Sequence, residues 1–438
     1  MISIPVRVAC ALALAVLPLG APSAHAQDPV PRPAAGDTVT LTLAEARQLA
    51  VARNPEFLAE ARETDVARAQ LRQARLPAFN PQAELRLPGA ATGAGASEYE
   101  LSLTQEVEVA GQRGLRSRAA RIGVGRAELT VRDAARLAVA EATNAYYETL
   151  GARRRVGLAQ DALALNERMM SAVRIQTREG EISGLEADLA EIDYGRARAR
   201  VLAARREAAS DELELRRLTG LSGTGPLRLA DELVPAPAPT SLSLDSLVAA
   251  ALARRPDLAA GAAAVEESRA RTTLARREAL PNLRVGAVAE RGQEGGDPRV
   301  GVGVGMALPL FNRNQGRVAE QQARTAQAEL RRQATEVRIR TQVADAYRAY
   351  VSATEEVAVY QTAVLQPARQ SRDRLETAYR EGKIGLTSLL LVRNQLVDAE
   401  TGYWDAWVAQ HRALTGLEAA TAALPAADQD NDPATRTR

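Results

Sequence analysis

Two stretches of this chain alternate apolar and polar residues with a period of two, and each precedes a long stretch whose apolar residues recur at helical spacing. In the first, Ala83, Leu85 and Leu87 alternate with Gln82, Glu84 and Arg86. A Gly-rich turn follows over residues 89–97, and then Tyr99, Leu101 and Leu103 alternate with Glu100, Ser102 and Thr104. In the second, Leu283 and Val285 lead into a turn around Gly295 and Gly296. Val300, Val302, Val304, Met306 and Leu308 then alternate with Gly301, Gly303 and Gly305. Strand side chains point to opposite faces in turn, so the pattern predicts two strand hairpins, 82–108 and 282–308, each with one apolar face.

The helical stretches are long. No proline occurs between Pro88 and Pro226, and residues 115–178 read as charged, alanine-rich helix throughout. At 1.5 Å per residue that is a rod of roughly 95 Å. Globular helices average about 11–12 residues, so such a rod suits a coiled coil or a helical tube. A second run covers residues 317–379 but contains Pro367, which removes one hydrogen bond and predicts a kink. Each rod ends at a glycine-containing break, Glu179-Gly180 and Glu381-Gly382, followed by a return helix. The result is two long helical hairpins, 113–220 and 314–417. On the second return helix Leu389, Leu396 and Tyr403 are seven apart, and Trp407 and Leu414 extend a coiled-coil-like seam.

The whole arrangement occurs twice. LTLAEARQLAVARNPEFLAEA from Leu41 is answered by LSLDSLVAAALARRPDLAAGA from Leu242, with Pro55 and Pro256 in matching places; REGEIS at Arg178 returns as REGKIG at Arg380, and LRRLTGL as HRALTGL. The repeats span 41–221 and 242–424, far longer than solenoid periods of about 20–50 residues, so each is a large subdomain of one quasi-symmetric body. Residues 222–241, with Pro235, Pro237 and Pro239, read as an extended connector, and residues 425–438 as a disordered tail.

Residues 1–26 differ in kind. Arg7 precedes an apolar run over 8–19, and Ala24-His25-Ala26 offers small residues for cleavage, the pattern of a secretory signal peptide followed by an extended segment, 27–40. The run is shorter than the ~20 residues of a membrane-spanning helix, and Pro18 interrupts it. Cys10, the one cysteine, lies inside this leader, so the expected mature chain has no thiol. No later stretch holds 18 consecutive apolar residues.

Composition changes the picture in two ways. Charge is nearly balanced, 56 basic against 54 acidic residues, which leaves no electrostatic footprint for nucleic acid. Catalytic chemistry is also missing: outside the leader the only histidine is His411, and no His or Cys cluster has metal-ligand spacing. Gly301, Gly303 and Gly305 lack the following helix start of a dinucleotide site, and Pro309 comes next. An enzyme is not expected, and neither is a cofactor or a bound metal.

An exported chain with a rod too long for a globule and apolar-faced hairpins at one end of it points to a membrane β-barrel. Four strands cannot close one, since about eight is the smallest number whose interior can be filled. An open edge in lipid would leave backbone groups unpaired, so the barrel has to be shared among chains.

With these pieces placed, the chain resembles the TolC-like outer-membrane efflux family from Leu41 to about Leu424. The resemblance is carried by the LTLAEA opening with NPE at Asn54 and its RPD echo at Arg255, by the junctions SLTQEVEVAGQRGLR (102–116) and ALPLFNRNQGR (307–317), by the glycine-containing rod tips and by the LTGL endings. The junctions are most similar to the cation-efflux, CzcC-like branch. The resemblance implies a mainly α fold with a small β part: duplicated helical hairpins forming a periplasmic α-barrel, and four strands per chain in a shared trimeric outer-membrane β-barrel. It implies a homotrimer with 12 strands and 12 helices, embedded in outer-membrane lipid, whose tube tip meets a periplasmic adaptor linked to an inner-membrane pump of the RND type.

By the same resemblance, Gly180, Ile182 and Ser183, with Gly382, Ile384, Gly385, Leu386 and Thr387, occupy the adaptor-contacting tips; the glycines end helices on either reading. Glu186 and Tyr379 fall on gate-like positions. Ser388 and Leu391 stand where some members carry an acidic cation-sensing ring, and Glu186 and Asp188 offer negative charge instead, or form a solvated face. The function implied is passive export of heavy-metal cations or small toxic compounds through a tripartite efflux system. A type I protein-secretion duct and a poreless periplasmic coiled-coil scaffold remain as alternatives at this level.

Overall fold

The computed structural model describes residues 39–86, 99–180, 182–223, 225–231, 235–237, 243–291, 299–381 and 383–423. The expected leader, most of segment 27–40, both hairpin turns, part of the connector, Gly382 and the expected tail lie outside the described residues.

In chain order the elements are β1 (Val39–Leu41), α1 (Leu43–Ala52), α2 (Pro55–Ala61), α3 (Glu63–Ala74), β2 (Gln82–Arg86), β3 (Tyr99–Val107), α4 (Gln112–Glu179), α5 (Gly184–Thr219) and β4 (Leu227–Leu229). The second repeat supplies α6 (Leu244–Arg254), α7 (Pro256–Arg277), β5 (Leu283–Arg291), β6 (Arg299–Met306), α8 (Gln315–Val359), α9 (Gln366–Arg380) and α10 (Leu386–Thr421). The fold is mainly helical with a small β part.

α4 has 68 residues, which at 1.5 Å each is about 100 Å. It carries partners along its whole length. Near its start α3 and α7 lie against it, tied by Ser117 Oγ to the Ala74 carbonyl at 3.0 Å and by the Arg126–Glu267 ion pair at 2.8 Å. Farther along, α5 and α10 take over, with Arg155 bridging Glu207 of α5 and Asp405 of α10, both at 2.8 Å. α7 also lies along α8, where Ser268 and Thr325 share a hydrogen bond of 3.0 Å. Each cross-section therefore holds four helices: α3, α4, α7 and α8 toward one end, α4, α5, α8–α9 and α10 toward the other.

The expected kink at Pro367 takes a specific form. The helix widens into a π-helical turn over Tyr360–Leu365, and α9 restarts with proline in its first turn. A proline there needs no N–H of its own, and the wider turn keeps its ring off the preceding carbonyls.

At mid-height two matching cores form. In one, Leu41, Ala46, Ala50, Tyr146, Leu215, Leu218, Leu227 and Trp407 bring α1, α4, α5 and α10 together. In the other, Ala251, Ile339, Val343 and Ala420 join α6, α8 and α10. Alanine at the crossing points lets backbones approach closely. α1 and α6 enter these cores from equivalent caps: Thr42 with Glu45 forms a capping box, and Ser243 Oγ accepts from the Ser246 N–H.

The segment 222–241, expected only as a connector, carries β4, which pairs in parallel with β1. The physical reason is a polar clip. Asp231 accepts from the Leu43 N–H at 2.6 Å and from the buried Tyr146 hydroxyl, so the connector is held across the start of α1.

Candidate functional site

The strand hairpins come together in one four-stranded antiparallel sheet of order β2-β3-β5-β6. Its register places Leu85 opposite Leu101, Leu103 opposite Ala287, Ala289 opposite Val300, and Val285 opposite Val304. One face is therefore Ala83, Leu85, Leu101, Leu103, Val285, Ala287, Val300, Val302, Val304 and Met306. The other carries Glu84, Ser102, Thr104, Gly286, Gly301, Gly303 and Gly305. Among the described residues no helix covers the apolar face: Val300 is 75 % exposed and Val302 78 %. Among the described residues β2 and β6 each have a single neighbour, so both edges present backbone groups that no described strand pairs.

Where the sheet meets the rods, polar residues take over from apolar ones. Arg116 grips Glu108 through two bonds of 2.6 and 3.1 Å, and Asn282 donates to Glu106 at 2.8 Å and accepts from Gln112 at 3.3 Å. α4 and α8 both start from a left-handed residue, Gly111 with φ 75° and Asn314 with φ 60°. Glycine adopts that backbone without a Cβ clash, and asparagine is the side chain that tolerates it best.

At the opposite end the two hairpin tips meet. Met170, Val173 and Ala190 of the first repeat pack with Leu386 and Leu390 of the second, and Ile182, Ala187 and Tyr379 close over them. Gly180, with φ 77°, ends α4 in the left-handed conformation that glycine accommodates. The second tip closes by an N–H of Lys383 donating to the Ala378 carbonyl at 2.8 Å.

Each expected tip residue has a definite place. Gly180, Ser183, Gly385 and Thr387 are exposed, Ile182 and Ile384 are half-buried, and Gly382 lies outside the described residues. Leu386 faces inward, 3 % exposed, and belongs to the contact between hairpins. Glu186 forms a capping box with Ser183, accepting from the Ser183 N–H at 3.1 Å, and Asp188 is exposed two residues further on. Tyr379 reaches Gln176 of the other hairpin at 3.5 Å. Burial, and then the nearby Glu186 charge, push the Tyr379 phenol above its ordinary range, so it stays a neutral donor. Gln176, Met170, Val173 and Leu390 complete this tip, and in the sequence only their helical spacing toward the ends of the rods points to them.

Among the described residues no group of His, Cys, Asp or Glu is arranged to hold a metal, and no helix is long and apolar enough to cross a membrane. The sheet is the element fit for lipid.

The profile of the family described as "Outer membrane efflux protein" matches residues 46–221 and 247–423, the two repeats in turn. The chain belongs to that family. It is a transport family, so the chain is an outer-membrane channel protein and not an enzyme, with its helical body extending into the periplasm. Among curated relatives, the cobalt-zinc-cadmium resistance protein CzcC of Cupriavidus metallidurans is 26 % identical over 396 residues, 89 % of this chain and 91 % of its own. The nickel-cobalt-cadmium resistance protein NccC of Alcaligenes xylosoxydans xylosoxydans is 28 % identical over 400 residues, 86 % of this chain and 85 % of its own. Among solved structures, CusC superposes with a TM-score of 0.73 at 19 % identity, covering 86 % of this chain and 91 % of its own. The Campylobacter jejuni CmeC outer membrane channel gives 0.75 at 16 %, covering 86 % and 85 %. Family members are trimeric channels that work with adaptor and pump partners.

Proposed function

We propose that three copies of this chain close a 12-stranded outer-membrane barrel continued by a 12-helix periplasmic tube, and that this homotrimer is the exit duct of a tripartite efflux system. The observation that carries the reading is the four-stranded sheet with two open edges and one uncovered apolar face. In lipid each edge needs a partner, and three sheets joined edge to edge satisfy all of them. The glycine-rich opposite face leaves room for water inside such a barrel.

The tube tip meets the hairpins of a periplasmic adaptor through exposed Gly180, Ser183, Gly385 and Thr387, with Leu386 holding the two hairpins of one chain together behind that surface. Gly382 and the half-buried Ile182 and Ile384 complete the contact in this proposal. Glu186, Asp188 and Tyr379 line the constriction that opens and closes. An inner-membrane pump of the RND type supplies the driving force, and the duct itself is passive.

The cargo class we favour is divalent heavy-metal cations. Support comes from the resistance proteins to cobalt, zinc, cadmium and nickel that align with this chain over most of its length. The ions pass in water and are not held.

Two measurements test the reading. Purified protein in planar bilayers is expected to give discrete conductance steps, and silence in repeated insertions would refute the duct. A deletion strain is expected to lose tolerance to cobalt, zinc or cadmium; unchanged tolerance to all three, with conductance intact, would refute the cargo and leave the duct standing.

A further inference from the structure

On the sheet side of the cores, α3 packs on α4, α4 on α7 and α7 on α8. α3 and α8 are therefore the ends of a row of helices, just as β2 and β6 are the ends of the sheet, and in the chain α3 runs into β2 and β6 into α8. α8 turns Gln321 and Thr325 toward its neighbours: Gln321 is buried, and Thr325 bonds to Ser268 of α7. On its far side Ala319, Ala323, Ala326, Leu330, Gln333 and Val337 recur at alternating steps of four and three, the spacing of a helix-packing seam. Leu330 lies five residues from Thr325, about 140° round the helix. All six are exposed, Leu330 by 66 % and Val337 by 64 %.

α3 repeats the arrangement. Ala67 and Ala74 are buried, with the Ala74 carbonyl bonded to Ser117 of α4. Val66, Ala69, Gln73 and Leu76, at steps of three and four, form an exposed line on the other side. Among the described residues no helix lies on either line. Side-chain ties fix the relative heights: Arg68 meets Glu128 at 3.0 Å, Arg126 meets Glu267 at 2.8 Å, and Ser268 meets Thr325 at 3.0 Å. Carried across these antiparallel neighbours, they bring Val66 level with Leu330, Ala69 with Ala326, Gln73 with Ala323 and Leu76 with Ala319, to within one residue. At each level one partner is an alanine or both are apolar. Beside the line, Glu63 of α3 stands within a turn of Arg331 of α8, opposite in sign.

We propose that α8 of one protomer docks antiparallel on α3 of the next, with Val66 against Leu330, so that the tube closes along the same line as the barrel. The proposal rests on the three-chain barrel. Its occupant is a second copy of this chain because β6 and β2 meet there across the same boundary. Rotation about the tube axis moves residues sideways without changing their height, so the levels within a chain carry over to the register between chains. The alanines set the two helices toward the close end of the roughly 8–10 Å range of packed helix axes.

The test uses the full chain with Cys10→Ser and the pair Val66→Cys with Leu330→Cys, both at positions exposed in the single chain. Mild oxidation of the purified protein in detergent is expected to give covalent dimers and trimers on a non-reducing denaturing gel. Val66→Cys with Val337→Cys is displaced by seven residues, about 10 Å, and should cross-link on the order of tenfold more slowly. Either cysteine alone should give no product. If the protein is trimeric by size, four results would each overturn the seam and leave the trimer standing: no product from the first pair, a disulfide within one protomer, product from a single cysteine, or an equal rate from the displaced pair. An unaltered chain that runs as a monomer would overturn the trimer and the seam with it.

Discussion

Gly151 of α4 lies directly against Val408 of α10: a Cβ added at Gly151 would collide with the valine methyl. The two residues come from different repeats, so this contact sets how closely the two hairpins of one chain cross. Their chain neighbours Ala152 and Trp407 are fully buried as well. Gly151→Leu is expected to lower stability by about 1–3 kcal/mol, the usual cost of overpacking, and Gly151→Ala by less. Pairing Gly151→Ala with Val408→Ala should recover part of the loss. Thermal unfolding followed by circular dichroism checks this, and an unchanged midpoint for Gly151→Leu would refute the close crossing.

The Arg255–Asp257 pair predicts acid sensitivity. Arg255 is 5 % exposed and reaches Asp257 at 2.7 Å. Burial works to raise the Asp257 carboxyl, but the hydrogen bonds and charge of Arg255 outweigh it and hold the group below its ordinary range. A depressed carboxylate adds stability that is present above its unfolded value near pH 4 and lost as pH falls through its folded value. Asp257→Ala should cost about 3 kcal/mol at neutral pH by leaving the guanidinium buried without its carboxylate, with only the neutral Gln342 and the Ala420 carbonyl as partners, and should flatten the dependence below pH 4. Urea unfolding at a series of pH values measures both.

The Asp231 clip predicts alkaline sensitivity. Burial first, and then the hydrogen bond to Asp231, raise the Tyr146 phenol above its ordinary range. The unfolded chain ionises this group near pH 10 and the folded chain does not, so its stabilising effect is whole below about pH 10 and lost as pH rises further. Tyr146→Phe should remove that part of the alkaline loss. Asp231→Ala should cost about 1–3 kcal/mol, because it strands the Leu43 N–H and leaves the Tyr146 phenol only the Leu41 carbonyl at 3.2 Å as acceptor. Equal alkaline slopes in wild type and Tyr146→Phe would count against the clip.

At the tip, Glu186 has two separable roles. Glutamine keeps the capping box and removes the charge, whereas alanine removes both. If charge closes the duct, Glu186→Gln and Glu186→Ala should both admit large antibiotics; if the cap alone matters, only the alanine variant should. Tyr379→Ala is expected to leak through loss of its place over Leu386 and Met170. Sensitivity of cells to a large glycopeptide antibiotic reads this out, and wild-type resistance in all three variants would take these residues out of the gate.

The two faces of the sheet predict opposite outcomes on neighbouring residues. Val302→Arg puts a charge on the apolar face and should cost about 2–4 kcal/mol at mid-membrane, seen as loss of assembled protein from the outer membrane. Gly303→Arg, on the other face, should leave assembly intact and change single-channel conductance. The same phenotype for both would mean that the sheet does not separate lipid from water.

Local pattern determined much of this chain. Period-two alternation fixed the strands and which side chains share a face, because a strand has no other way to orient Val300, Val302 and Val304. Proline-free alanine-rich runs fixed α4 and the return helices, and the paired echoes fixed the duplication. What pattern could not give was anything made by residues far apart. β4 is three residues of a proline-rich connector, a strand only because β1 and Asp231 meet it. Leu386 reads as a tip residue and is buried because Met170 and Val173 of the other repeat arrive opposite it. The crossing at Gly151 and the π-helical turn before Pro367 likewise belong to the assembled hairpins. Backbone periodicity is a short-range property written residue by residue, whereas close approach and burial depend on which distant surfaces meet, and only the folded chain decides that.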